Sequence, residues 1–236
     1  MKNILMLVLF IGIAGQNVFA GDALAVVSGT IKFEGADIPP PEMMKTNEDI
    51  EFCGGFVETE RLIVQPENKG IKNVIVGLTA KEAHAHPSGK ENLPTVEIKS
   101  EKCRFTPHVI VVPAGTVLNL VNDDPVLHGF HFFSGDKGLF NVALTPRKKA
   151  QGKKPLNSPG LVEAKCDIHD FMRGFIMVME TPYFALTDGN GAFTVADVPP
   201  GKYLLTVMHE SFRLKDQEIE LKPGEKKNLS LGVNDK

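Results

Sequence analysis

Tryptophan is absent from this 236-residue chain, and tyrosine occurs only twice. Aromatic packing must therefore come almost entirely from the 15 phenylalanines. Cysteine is also scarce, at three residues, too few for a disulfide-dense scaffold. The chain has no long polar tract, and 42% apolar with 23% charged residues excludes general disorder. Positive charge is not in excess: the net charge of −3 argues against nucleic acid as the main partner. After residue 20 no apolar run is long enough to cross a bilayer.

Glycine and proline are plentiful, at 22 and 16 residues, and fit many short strands joined by tight turns. Alternating or continuous apolar runs predict strands over 26–33, 71–78, 109–113, 116–121 and 129–133. Further strands are predicted over 160–164, 174–179, 192–195, 202–208 and 218–221. Asn122-Asp123-Asp124-Pro125, Asp188-Gly189-Asn190-Gly191 and Pro199-Pro200-Gly201 are turn signals between them. Helical signal is confined to one turn at 79–84. The expected class is all-β.

Residues 1–20 have the form of a signal peptide. Lys2 precedes an apolar run over 4–14, and Val18 and Ala20 stand at the small-residue positions of a cleavage site. The run is short for a membrane anchor, which needs roughly 20 residues. Cleavage after Ala20 removes one Lys and no acid, taking the net charge to −4. The mature chain is expected to be periplasmic or secreted, without a membrane span.

Export alters how the cysteines read. In an oxidising compartment two of three are expected to pair, leaving one thiol that needs a purpose. Cys166 lies in Cys166-Asp167-Ile168-His169, whereas Cys53 and Cys103 have no histidine within four residues. A Cys53–Cys103 disulfide is therefore expected; the bland alternative is a pair of free buried thiols.

Cys166, His169 and Met172 fall within seven residues, as Cys-x2-His-x2-Met. A thiolate, an imidazole and a thioether on one tight loop suit copper, since sulfur ligands favour Cu(I) and imidazole also serves Cu(II). His128, following the 122–125 turn, is the candidate fourth ligand. Two histidines and a cysteine with a distant axial methionine make a blue-copper set. Zinc is the competing reading, through His128, His131, Cys166 and His169. Residues three apart on a regular strand point to opposite faces, which argues against His128 and His131 sharing an ion. His108 is expected at the surface, and His84 with His86 in a solvated loop.

With these residues in view, 94–181 resembles a cupredoxin, nearest in loop length to the amicyanin type of plastocyanin-like protein. The matching pieces are Phe105-x-Pro107, Val112-x-x-Gly115-Thr116-Val117, Val121-Asn122-x-Asp124, His128 and the loop from Cys166 to Gly174. The resemblance implies a Greek-key β-sandwich, electron transfer and one copper ion. Gly129 departs from it: these proteins usually carry there an asparagine whose side chain braces the two ligand loops. Asp170 is a second departure, placing a carboxylate near the usual exposed edge of His169.

The flanks resemble a second family. Gly29-Thr30-Ile31, Asn73-Val74-Ile75-Val76, Thr187-Asp188-Gly189-Asn190-Gly191 and Val198-Pro199-Pro200-Gly201-Lys202-Tyr203 look like a carboxypeptidase-regulatory-like, transthyretin-type β-sandwich. Residues 24–93 plus 182–235 would then form one split sandwich around an inserted copper domain, 94–181. Two consecutive domains are the alternative, since sequential elements usually pack together.

The run Arg147-Lys148-Lys149-Ala150-Gln151-Gly152-Lys153-Lys154 is a solvated loop or a docking patch for an acidic redox partner. Without an interleaved aromatic it does not suggest nucleic acid. No nucleophile–base pair or phosphate loop is present, so a self-sufficient enzyme is not expected. The readings that remain are an electron-transfer protein with a redox partner, a copper-handling protein, and an accessory module with a vestigial site.

Overall fold

The computed structural model describes residues 23–81, 95–152 and 154–234. The expected signal peptide and the His84–His86 loop lie outside these. The described elements begin with β1 (Ala25–Phe33), β2 (Met43–Lys45), the helical turn α1 (Ile50–Cys53), β3 (Phe56–Glu58) and β4 (Ile75–Ala80). Next come β5 (Thr95–Ser100), β6 (Phe105–Thr106), β7 (Val109–Pro113), β8 (Val117–Asn122), β9 (His128–Ser134), β10 (Lys137–Leu144) and β11 (Lys149–Gln151). The chain continues with β12 (Gly160–Lys165), β13 (Arg173–Met179), β14 (Phe184–Leu186) and β15 (Ala192–Val198). It ends with β16 (Gly201–His209), β17 (Phe212–Arg213), β18 (Gln217–Leu221) and β19 (Lys226–Val233). The protein is all-β, as its composition implies. The helical turn expected at 79–84 is not formed at its start: Thr79 and Ala80 close β4, paired with Leu204 and Tyr203.

Four sheets carry the fold. One runs β10-β9-β12-β13-β7 and faces β11-β8-β5-β6 across a shared core. Within these sheets β13 pairs with β7 in parallel and β5 pairs with β8 in parallel, while their other ladders are antiparallel. Such mixed pairing marks a Greek-key sandwich, because parallel neighbours require crossovers rather than hairpins. The other two sheets are β15-β1-β19 and β14-β4-β16-β17, the latter extended by β18. They share a second core, including Val27, Ile31, Leu78, Phe193, Tyr203 and Leu205. Strands from distant parts of the chain thus pair: β1 with β15 and β19, and β4 with β16. A smaller cluster of Ile75, Val109 and Met177 joins the two layered pairs.

The inward rows of two strands position the candidate site. On β9, His128, Phe130 and Phe132 are all fully buried and, two apart, share one face. On β12, Val162 and Ala164 point into the same core, and Cys166 extends that row one step past the strand. The ladder Ala164↔Phe132 holds these rows in register. Burying each phenylalanine contributes about 1.5–3 kcal/mol, so register is set by core packing at the point where His128 and Cys166 emerge.

Candidate metal centre

His128, Cys166 and His169 come together, buried, with one potential ligand atom from each within 4.8 Å of the others. Nδ1 of His128 lies 3.1 Å from Nδ1 of His169, and Cys166 Sγ lies 3.5 Å from His169 Nδ1 and 3.9 Å from His128 Nδ1. A point equidistant from the three is about 2 Å from each, an ordinary metal–imidazole distance. The donors therefore fit a single trigonal ion. His131 does not join them; its Nδ1 bonds Asp167 Oδ1 at 2.9 Å.

The outer nitrogen of each ring is occupied. His128 Nε2–H donates to Asp124 Oδ2 at 2.8 Å, and His169 Nε2–H donates to Asp49 Oδ2 at 3.1 Å. With the protons on Nε2, both Nδ1 lone pairs face Cys166. Two lone pairs and a sulfur converging away from water form a donor set whose natural complement is a cation. Burial holds the His128 pKa below its ordinary value, against the pull of the Asp124 hydrogen bond, which keeps the ring neutral as a ligand must be.

Asp124 is itself anchored. Its Oδ1 accepts the Lys102 amide at 2.7 Å, and its Oδ2 accepts the Cys103 amide at 2.9 Å. Lys102 and Cys103 both adopt positive φ, which turns their successive N–H groups toward the carboxylate. Asn122, fully buried, secures the turn leading to His128. Its Oδ1 accepts from Ser100 Oγ and from the Asp124 amide, each at 2.9 Å, and its Nδ2 donates to Val126 O and Leu144 O, each at 2.8 Å.

The loop 166–172 joins β12 to β13, closed by the Lys165↔Arg173 pair. Inside it, Met172 N–H donates to His169 O at 3.0 Å, and Cys166 N–H donates to Met172 O at 3.3 Å. Met172 is 1% exposed and packs in the core that contains Cys166.

Gly129 N–H donates to Cys166 Sγ at 3.3 Å. A Cβ at Gly129 would lie 3.1 Å from the Asp167 backbone nitrogen, so the absent side chain lets β9 and the loop approach closely. Bracing between them comes from Asp167, which bonds His131 as above and accepts from Asn141 Nδ2 at 2.5 Å. Burial pushes the Asp167 carboxyl up, but the His131 and Asn141 hydrogen bonds outweigh it and hold its pKa below the ordinary value.

Cys53 and Cys103 are joined as a disulfide, with Cα atoms 5.6 Å apart, and Cys166 is free and buried. The bridge attaches the segment 42–60 beside the 166–172 loop. Asp170 is exposed, and the carboxylate at the His169 edge is Asp49 instead. Sequence reasoning missed Asp49, Asp167 and Asn141. For Asp124 a signal existed, four residues before His128 within a turn motif; for Asp49 there was none.

Residues 73–178 match the family model of the cupredoxin-like domain. That stretch, 106 of the 236 residues, has a cupredoxin-like fold. The matched stretch begins before 94 and takes in β4, which pairs with β14 and β16. Among solved structures, the chain is similar to a purple cupredoxin from Nitrosopumilus maritimus, with 21% identity, a TM-score of 0.31, and coverage of 36% of this chain and 99% of that one. It is similar to reduced auracyanin from Roseiflexus castenholzii, at 15% identity and TM-score 0.31, covering 36% of this chain and 96% of that one. A copper-containing nitrite reductase from Thermus scotoductus SA-01 shares 22% identity at TM-score 0.32, over 44% of this chain and 25% of that one. No curated protein matches the sequence.

Proposed function

We propose that the chain is an exported mononuclear copper protein that transfers electrons. Nδ1 of His128, Sγ of Cys166 and Nδ1 of His169 would hold the ion, with the Met172 thioether as a fourth, weaker ligand. The observation that carries this reading is the buried triangle of donors, 3.1–3.9 Å on its edges, with each imidazole held from behind by a carboxylate. When bound there, copper supplies one-electron chemistry between its cupric and cuprous states.

The protein's own residues keep that site stiff. Asp124 and Asp49 fix ring tautomer and orientation, Asn122 locks one ligand turn, and Asp167 ties the other to β9. Gly129 N–H withdraws charge from the sulfur. Both ligand histidines are fully buried, so water is kept from the donors. That burial favours retention and electron transfer over delivery of metal to another protein, which needs a reachable ligand. It equally disfavours an enzyme, whose substrate would have to approach the ion.

Residues 24–93 plus 182–235 are read as one split sandwich around an inserted copper domain, 94–181. Pairing of β1 with β15 and β19 supports the insertion; the turn and strand motifs supply the likeness to carboxypeptidase-regulatory-like domains. Residues 1–20 are read as the export signal, a reading favoured by the disulfide. No helix among the described residues is long and apolar enough to cross a membrane. The partner in this reading is another redox protein.

Titrating the metal-free, unreduced protein with Cu(II) tests the function. One equivalent should produce an intense visible thiolate-to-copper band that bleaches reversibly on reduction. Colourless binding would favour copper handling, and no binding would leave an accessory module.

A further inference from the structure

The segment 42–60 forms a strap beside the ligand loop. Its β2–β3 hairpin is closed by the Thr46 N–H to Gly55 O bond, and Val57 enters the core. The Cys53–Cys103 disulfide fastens it, and Asp49 bonds His169. Its outer side is unusually apolar. Of the seven large apolar side chains exposed among the described residues, four belong to it: Met43 (55%), Ile50 (52%), Phe52 (41%) and Phe56 (64%). Glu42, Glu48, Glu51 and Glu58 are exposed in the same segment with one lysine, Lys45. Of the cations that flank it, Arg61 pairs with Glu42, and Lys102 and Arg104 lie on the Phe56 side near Glu60 and Glu101, so acidic groups remain in excess.

The two carboxylates behind the ligand rings differ in access. The Asp124 side chain is 3% exposed, whereas that of Asp49 is 39% exposed. Asp49 thus links the surface to a ligand imidazole by one hydrogen bond. We propose that the outer face of this strap is the docking surface for a cationic redox protein, one that presents an apolar patch ringed by lysine or arginine. This rests on the electron-transfer reading and names the partner's chemistry. The apolar centre supplies the desolvated contact, and the acidic rim steers a basic partner. With a ferrous c-type cytochrome as donor, one electron leaves the haem iron, oxidised to the ferric state. It reduces cupric ion at Cys166 to cuprous ion, with no bond made or broken.

The probe is a cationic c-type cytochrome. Its ferric form is titrated calorimetrically into the metal-free protein, and electron transfer to the copper-loaded protein is followed by stopped flow. Ile50→Ser with Phe56→Ser should weaken binding about tenfold, as loss of a central apolar contact does, and slow transfer similarly without altering the visible spectrum. Glu48→Lys with Glu51→Lys should weaken binding strongly at low salt and little at about 0.5 M, where exposed charges are screened. Leu127→Ser, which alters an exposed apolar residue beside His128 instead, should change neither. Unchanged binding by the strap variants would overturn the proposal, as would a larger effect of Leu127→Ser or tighter binding of an acidic ferredoxin. Failure of the copper reading would appear separately, as a missing visible band, because the calorimetric arm needs no metal.

Discussion

Asp49 Oδ2 and His169 Nε2 are 3.1 Å apart, although 120 positions separate the two residues in the chain. The contact gives His169 a fixed tautomer and places a carboxylate behind a proposed copper ligand. Anionic charge there stabilises the higher-charged cupric state. Asp49→Asn keeps an acceptor but removes the charge, so the reduction potential should rise. Cu(II) affinity should fall about 10–100-fold, the usual effect of losing an outer partner. Voltammetry and a competitive copper titration measure both, and an unchanged potential would reduce Asp49 to a surface contact.

Cys166 is the free thiol at the centre of the donor set. Cys166→Ala should abolish any blue, green or purple colour while leaving the far-ultraviolet dichroism of the strands intact. Retained colour in this variant would remove the thiolate from the site.

Met172 offers a sharper choice, because its side chain is buried among core residues and would serve packing as well as ligation. As an axial ligand it binds weakly, so Met172→Gln should keep copper but lower the potential and change the ratio of the visible bands, since a harder axial ligand favours Cu(II). As packing alone, the substitution should cost roughly 1–3 kcal/mol of stability for a buried amide and leave the spectrum unchanged. One spectrum and one melt separate the two.

The disulfide predicts one reactive thiol in the denatured, unreduced, metal-free protein; three would contradict it. The bridge spans 50 positions. Its loss, by Cys53→Ser with Cys103→Ser, should cost about 4 kcal/mol on the loop-entropy argument. Urea melts of both forms check the figure.

His209 carries a pH dependence of its own. Burial, assisted by the charge of nearby His108, lowers its pKa from 6.5 to about 4. Its Nδ1 accepts the Ser211 amide at 3.2 Å, and its Nε2 has no hydrogen-bond partner among the described residues. Above pH 6.5 the ring is neutral in both folded and unfolded chains and contributes nothing. Between 6.5 and about 4 the unfolded chain binds the proton first, so stability falls with pH, by about 3 kcal/mol at the lower end. In the metal-free protein, His209→Phe should remove that part of the slope between pH 7.5 and 4.5. An identical slope in both proteins would assign the acid sensitivity elsewhere.

Much of this was local and therefore readable. Period-two alternation and turn residues made the chain all-β, because the inward row of a strand is a property of its own side chains. Cys166, His169 and Met172 are brought near one another by a single short loop, whatever surrounds it. The strap was not legible: β2, α1 and β3 are three or four residues each, too short for any period to show. Adjacency in sequence put Asp170 beside His169, yet Asp49 takes the position at the ring edge. Asp167, one residue past Cys166, became a brace only because β9 and β10 present His131 and Asn141 to it. Donor types and their spacing in the 166–172 loop are written in neighbouring residues. Which carboxylates orient them depends on long-range packing and a disulfide, contacts that have no signature until the chain has folded.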